Sequence, residues 1–198
     1  MPRSLELRVA ILDRALELAS VVGVSGLTIG TLAKHVGMSK SGLYAHFSSK
    51  EQLQLQLLDH AGEYLHQIVI GPAFRLQRGD ARVAALADNW VHWASGDVLP
   101  GGCLLLASTI EYDDIPGPQR ERVVALQRDW TTALAQAART AVSEGFYRAD
   151  LDCERFAFEA FGLLVAHHVY WRLFEDERAE AWTRLAFDSL RHAARLAH

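Results

Sequence analysis

Between Thr28 and Lys50 the 198-residue chain gathers side chains suited to binding a polyanion. Lys34, Lys40 and Lys50 are all of its lysines. Thr28, Ser39, Ser41, Tyr44 and His46 stand among them with hydroxyl and imidazole groups. Such groups donate hydrogen bonds to phosphate oxygens, and a lysine ammonium also reaches the O6 and N7 acceptors of guanine in a major groove. The formal net charge of −4 argues against a phosphate partner when taken alone. Its distribution argues the other way. Residues 1–50 carry six basic and three acidic side chains, a balance of +3, and residues 51–198 carry 14 basic and 21 acidic, a balance of −7. A small basic head on a larger acidic body fits a nucleic-acid-binding module joined to a domain with another task. Chance clustering of charge is the alternative.

Other chemistries find less support. Cys103 and Cys153 have no close spacing, so neither a disulfide framework nor a zinc site is expected. His60, Glu63 and His66 are neighbours pairwise on a helix, but His60 and His66 are not, and no metal site is expected there. The chain has no G-x-S-x-G, H-E-x-x-H, C-x-x-C or phosphate-cradling glycine loop. An all-α enzyme carrying a helical head is therefore the competing reading without a motif behind it, and an adaptor that dimerises without binding DNA is a third. No catalytic residue and no cofactor are assigned. The N-terminus lacks an apolar signal core, and no stretch approaches the ~20 apolar residues of a membrane span, so a soluble, cytoplasmic protein is expected.

The elements that must position these groups are helical. Leu5, Val9, Leu12, Leu16, Ala19 and Val22 recur at three- and four-residue steps after Ser4, a cap residue, and Gly23 and Gly26 end that pattern. Thr28 caps a second helix ending at Gly37, and a short third follows from about Ser39 to Ala45. Ser48-Ser49-Lys50-Glu51 reads as a capping box between Ser48 and Glu51, opening a helix that Gly71-Pro72 should break. Further helices are expected over about 80–95, 103–112, 119–144, 152–174 and 176–196. Gly96–Gly102 and Pro116-Gly117-Pro118 form turns between them. The count is nine helices and no strand. The fold class is all-α, with a three-helix helix-turn-helix head over 1–47 joined to a six-helix body over 48–198.

The segment Ile29–Leu43 meets the demands of two short helices crossing steeply. Ala33 is small where the helices approach. Gly37, four residues on, supplies the positive φ of the turn. Ile29, Leu32, Val36, Met38 and Leu43 fill the angle between the helices. Ser39 then caps a helix whose outward residues are Lys40, Ser41, Gly42 and Tyr44. An ordinary tight helical corner would share part of this pattern.

The run Thr28-Ile29 … Ala33-Lys34 … Val36-Gly37-Met38-Ser39-Lys40-Ser41-Gly42-Leu43-Tyr44-Ala45-His46-Phe47-Ser48-Ser49-Lys50-Glu51 resembles the N-terminal domain of the TetR family of bacterial transcriptional regulators. The likeness covers about residues 5–60, and its signature is Leu43-Tyr44-x-His46-Phe47 followed by a polar stretch and Lys50-Glu51. Ser41-Gly42 departs from the commoner Gly-Thr. The resemblance implies that Thr28 and Tyr44 bind phosphates on either side of a major groove. Ser39, Lys40, Ser41 and Gly42 would face base edges, and His46 and Lys50 would reach the backbone. Lys40 is then the first candidate for reading guanine. Phe47 is expected to pack between the first and fourth helices.

For the body, the helix from Phe156 to Phe174 is apolar on nearly every side, which suits burial on both faces. It is either the central helix of a monomer or a partner surface. The resemblance implies a homodimer through about 151–174 and 176–196, bound to a double-stranded palindromic operator. It further implies a small-molecule effector in an apolar cavity, most simply one that releases a repressor; an activator or a ligand-independent regulator of the same fold is the alternative. Trp90, Trp93, Cys103, Trp130, Phe161 and His167 are the candidate lining residues, although each also suits an ordinary core. His167 and His168 point about 100° apart on a helix and cannot both face one site.

Overall fold

A computed structural model describes the backbone of residues 3–95 and 99–195 and the side chains from Leu5 onward. Ser4 lies inside the first helix, which already includes Arg3, so it does not cap that helix as expected. The Gly96–Val98 part of the expected loop and Leu196 at the end of the expected last helix lie outside what is described. Among the described residues ten α-helices follow one another: α1 (Arg3–Gly26), α2 (Ile29–Val36), α3 (Lys40–Tyr44), α4 (Lys50–Leu65), α5 (Gly71–Arg75), α6 (Asp80–Ala94), α7 (Leu104–Glu111), α8 (Pro118–Ser143), α9 (Cys153–Arg172) and α10 (Ala179–Ala194). The described residues contain no strand, only an isolated bridge between Tyr147 and Arg195. The fold is all-α.

Nine of the ten helices follow the expected periodicity, and α5 is the addition. Gly71-Pro72 does not break the chain as its composition suggests. A π-helical turn, His66–Ile70, joins α4 to α5, and the Gly71 N–H donates five residues back to the His66 carbonyl. A proline ring clashes with the carbonyl four residues earlier in a regular helix. The wider turn opens the ladder at that point, so Pro72 sits in the first turn of α5 with its missing N–H tolerated.

The chain packs as two compact units. The first joins residues 1–64 to 99–126, and so holds α1 to α4, α7 and the start of α8. Here α1 packs on α2 and α7, and Leu16, Leu27, Leu32, Leu43, Phe47, Leu53 and Leu57 are fully buried. The loop before α7 lies against α1, where the Gly101 N–H donates to Ser20 Oγ at 2.9 Å. The second unit joins residues 65–98 to 127–198. There α6 packs on α9 and α10, and Val83, Leu86, Trp90, Trp93, Phe156, Ala160, Leu164 and Phe187 form the interior.

One polar cluster locks the second unit. Asp80, at the start of α6, accepts from Tyr147 Oη (2.8 Å), Arg191 Nε (3.0 Å) and Nη2 (2.5 Å), and Arg195 Nη2 (2.6 Å). Burial pushes the Asp80 carboxyl up, but these donors outweigh it and bring its pKa down to about 2. The same burial, with the bond to Asp80, pushes the Tyr147 phenol up.

Candidate nucleic-acid interface

The helix-turn-helix is built from local caps. Thr28, extended at φ −128° and ψ 160°, accepts from the Thr31 N–H at 3.0 Å. Thr31 Oγ1 in return accepts from the Thr28 N–H at 2.9 Å. These reciprocal bonds occupy donors that a helix start leaves free. Gly37 ends α2 at φ 68° and ψ 26°, with its N–H on the Ala33 carbonyl. That is the left-handed cap expected from its spacing to Ala33. Ser39 caps α3, accepting from the Gly42 N–H at 3.0 Å, and its hydroxyl lies 3.1 Å from that of Ser41. Ile29, Leu32, Ala33 and Leu43 are buried in the angle between the two helices.

The expected contact residues stand outward or partly outward. Lys40, Ser41, Tyr44 and Lys50 are exposed, as is Ser39, and Thr28, Gly42 and His46 are half-buried. Phe47 is fully buried, with the Arg8 guanidinium of α1 5.5 Å above its ring. Two cations are less free than the sequence implies. The Lys40 stem lies along α2: a Cβ built on Gly30 would meet Lys40 Cε at 3.3 Å and Nζ at 3.6 Å, with Thr28 Oγ1 3.8 Å from the same point. Lys50 Nζ donates to the Ser25 carbonyl at 2.8 Å.

The cap of α4 is one residue later than expected. Ser49 accepts from the Gln52 N–H (3.0 Å), and Gln52 Oε1 accepts from the Ser48 N–H (2.7 Å) and hydroxyl (3.0 Å). Ser48-x-x-Glu51 and Ser49-x-x-Gln52 both have the capping-box composition, so sequence does not separate the two registers.

Sequence reasoning missed three residues beside this interface. Glu111, Gln54 and Gln119 bind the backbone of the turn between α1 and α2, or one another. Their partners lie dozens of positions away, beyond any periodicity. The signal available was a polar Gln54 on the buried face of α4.

In the body, the candidate lining residues separate. Cys103 belongs to the first unit, where its sulfur accepts from the Leu106 N–H at the start of α7. Phe161 is half-buried beside Thr131, Thr132, Ala135 and Phe158 along a groove of α8 and α9. Trp90 and His167 come together edge to face, with ring centroids 5.6 Å apart, and Trp171 stacks on His167 with centroids 6.2 Å apart. Thr183 Oγ1 spends its proton on the Ala179 carbonyl (2.7 Å), so it accepts from His167 Nδ1–H at 3.1 Å. Burial lowers the His167 pKa and keeps the ring neutral. Nε2 is then a bare acceptor, and among the described residues it is buried without a partner, as are the indole N–H groups of Trp93 and Trp130. Of the adjacent pair only His167 is fully enclosed; His168 is half-buried. Among the described residues no three His, Cys, Asp or Glu side chains gather as a metal site, and His60 pairs with Asp13 at 2.7 Å. No described helix is long and apolar enough to cross a membrane.

A capped helix-turn-helix with exposed cations, followed by an all-helical body, defines a DNA-binding transcriptional regulator. The chain belongs to the TetR family. Residues 11–57 match the family described as "Bacterial regulatory proteins, tetR family", and residues 79–187 match "Tetracyclin repressor-like, C-terminal domain". A TetR transcriptional regulator from Chloroflexus aurantiacus has the same fold over the full length of both chains, with 27% identity and a TM-score of 0.86. The crystal structure of AibR in complex with isovaleryl coenzyme A and operator DNA shares the fold at 19% identity and a TM-score of 0.72, covering 95% of this chain and 98% of that one. The negative transcriptional regulator IcaR of the biofilm operon icaADBC, from Staphylococcus aureus, is 37% identical over 60 residues, 30% of this chain and 32% of IcaR. The match thus spans about a third of the curated relative. As a member of this family the chain is a transcriptional regulator.

Proposed function

We propose that the protein is a repressor that binds a palindromic operator as a homodimer and leaves it when a small, largely apolar molecule binds the body. The functional boundary falls near Ser48, with 1–47 touching DNA and 48–198 serving ligand and partner. Thr28, Tyr44, His46 and Lys50 hold phosphates, and Ser39, Lys40, Ser41 and Gly42 face the bases. For Lys40 to read guanine, its stem must swing off Gly30. Lys50 has two ammonium protons left after its bond to Ser25, enough for a phosphate oxygen.

The dimer is supported by exposed apolar side chains on α9, on α10 and on the turn between them: Phe158, Tyr170, Leu173, Phe174, Trp182 and Leu185, with Phe158 at 77%. Side chains of this size cluster on a surface that covers itself with a partner.

The observation that carries the ligand is the set of orphaned buried polar atoms. Native interiors satisfy nearly all such groups. Here His167 Nε2 lacks a donor, and Trp93 and Trp130 lack acceptors. On an apolar molecule, a hydroxyl could donate to His167 Nε2, and a carbonyl could accept from an indole N–H. Such a molecule acts only by binding the DNA-incompetent arrangement more tightly than the competent one. AibR, which shares the fold, is seen in complex with both isovaleryl coenzyme A and operator DNA, so its example supports a ligand in the body but not release from the operator.

The test is enrichment of sheared genomic DNA by the pure protein at two salt concentrations, followed by sequencing. Palindromic enriched sites are the expected result; sequence-blind recovery, or none, refutes it. Lys40→Ala should then weaken the best site more than random duplex. Lys50→Ala should weaken both about equally and reduce the salt slope by about 1. Equal losses for the two variants would remove Lys40 from base reading.

A further inference from the structure

The turn that leads into the helix-turn-helix is gripped from elements far along the chain. At Gly23 the backbone of α1 leaves the helical path, with φ 77° and ψ 165°. The next two N–H groups donate to one carboxylate: Val24 to Glu111 Oε2 at 2.9 Å, and Ser25 to Glu111 Oε1 at 2.6 Å. Glu111 is the last residue of α7. A Cβ at position 23 would stand 3.1 Å from Glu111 Oε1, so glycine both makes the turn and leaves room for the carboxylate.

The carbonyl side of the same turn is held as well. Buried Gln54 of α4 donates to the Val24 carbonyl at 2.7 Å and reaches the Leu27 carbonyl at 3.4 Å. Its own Oε1 accepts from Gln119 Nε2 of α8 at 3.1 Å. Lys50 also donates to the Ser25 carbonyl, but from the exposed side and outside this buried arrangement. Polar backbone in a turn is ordinarily capped by a nearby Ser, Asp or Asn. Here a charged group from another helix does it, through two charge-assisted bonds that exceed neutral ones in strength.

Thr28, which caps α2, lies three residues beyond Ser25, and α2 carries α3. We infer that Glu111 is a positioning residue for DNA binding. It fixes the turn between α1 and α2, and through it the placement of Thr28 and the recognition helix, with the Gln54–Gln119 bond as the second arm of the same latch. The latch also ties the head to α7. A displacement of α7 by about 1 Å carries both bonds beyond hydrogen-bond range.

Glu111→Gln tests this. The amide keeps the shape but turns a donor toward one of the two N–H groups. The readout is the ratio of affinity for the best operator to affinity for random duplex, at one salt concentration and at a temperature where circular dichroism shows both proteins folded. The expected result is a fall of at least tenfold in that ratio. Gln119→Ala leaves Glu111 in place and should lower the ratio two- to fivefold; it carries the test if Glu111→Gln does not fold. A merely stabilising contact would move the thermal midpoint and leave the ratio of the folded protein unchanged. A ratio within twofold of the unaltered protein's, in a folded variant, overturns the inference.

Discussion

The helix-turn-helix and the core formed by α6, α9 and α10 are both helical corners, yet they are held by interactions of very different reach. Within the helix-turn-helix itself the capping bonds run three or four residues: Thr28 with Thr31, Ser39 with Gly42, Gly37 with Ala33. Only the turn leading into it is held at long range, by Glu111 and Gln54. In the second unit the decisive cluster joins Asp80 to Tyr147, Arg191 and Arg195, across 67 to 115 positions. A short-range device is specified by residue types at fixed offsets. A long-range one is specified only once the helices have packed. The head should therefore tolerate change in proportion to local backbone cost, and the body in proportion to what is left unpaired.

The largest expected effect falls on the Asp80 cluster. Asp80→Asn removes the charge that holds two guanidinium groups, and should lower unfolding free energy at pH 7 by about 2–3 kcal/mol. The pH dependence gives the sharper result. The folded-state pKa is depressed, to about 2 from an ordinary 3.8. Its stabilisation is thus fully present above about 3.8 and is lost as pH falls toward 2. Urea titrations between pH 2 and 6 should show that loss in the unaltered protein and a flatter profile in Asp80→Asn. Parallel profiles would mean that the cluster carries no net charge coupling.

Two glycines in the head sharpen the comparison from the other side. Gly37 sits at φ 68°, so Gly37→Ala should cost about 1–2 kcal/mol. Gly42 lies inside α3 in helical conformation, and Gly42→Ala should gain up to about 0.5–1 kcal/mol of helix propensity. The new Cβ meets Ser39 Oγ at 3.2 Å, so part of that gain is spent on displacing the cap. Denaturant midpoints of the two variants should move in opposite directions. If both fall, the recognition helix depends on more than local geometry.

This contrast also accounts for what the sequence reveals. Ala33, Gly37, the apolar set and Ser39 announce the head because each satisfies a rule of local geometry, and Leu43-Tyr44-x-His46-Phe47 adds the family. The nine-helix order is legible from periodicity. The π turn is not, because Gly71-Pro72 has the composition of a break and only the hydrogen bond from Gly71 to His66 reveals the accommodation. The α4 cap slips by one residue because two adjacent serines offer equivalent boxes. Trp90 and His167 lie ring to ring, whereas Phe161 lines a groove of α8 and α9 and Cys103 belongs to the first unit. Glu111 carried no signal at all, since a carboxylate at a helix end is ordinary until a turn 86 residues away is seen against it.

The smallest expected effect is the most diagnostic for the body. Trp93 is fully buried, and its indole N–H lacks a partner. Replacing a buried tryptophan by alanine costs about 3–5 kcal/mol through lost burial and the cavity left behind. Trp93→Phe keeps most of the ring and discards the orphaned donor. Removing an unsatisfied buried donor returns about 1–3 kcal/mol of desolvation penalty, which offsets the smaller ring's lost burial. The net change in unfolding free energy should lie within about 1 kcal/mol of zero. A Trp whose N–H already had a partner would lose that bond in addition, so a cost above about 2 kcal/mol would refute its assignment as a group awaiting a ligand. The second half of the measurement separates ligand binding from packing. A molecule that raises the thermal midpoint of the unaltered protein should raise that of Trp93→Phe by less, because binding to the folded state alone adds stability in proportion to the logarithm of affinity.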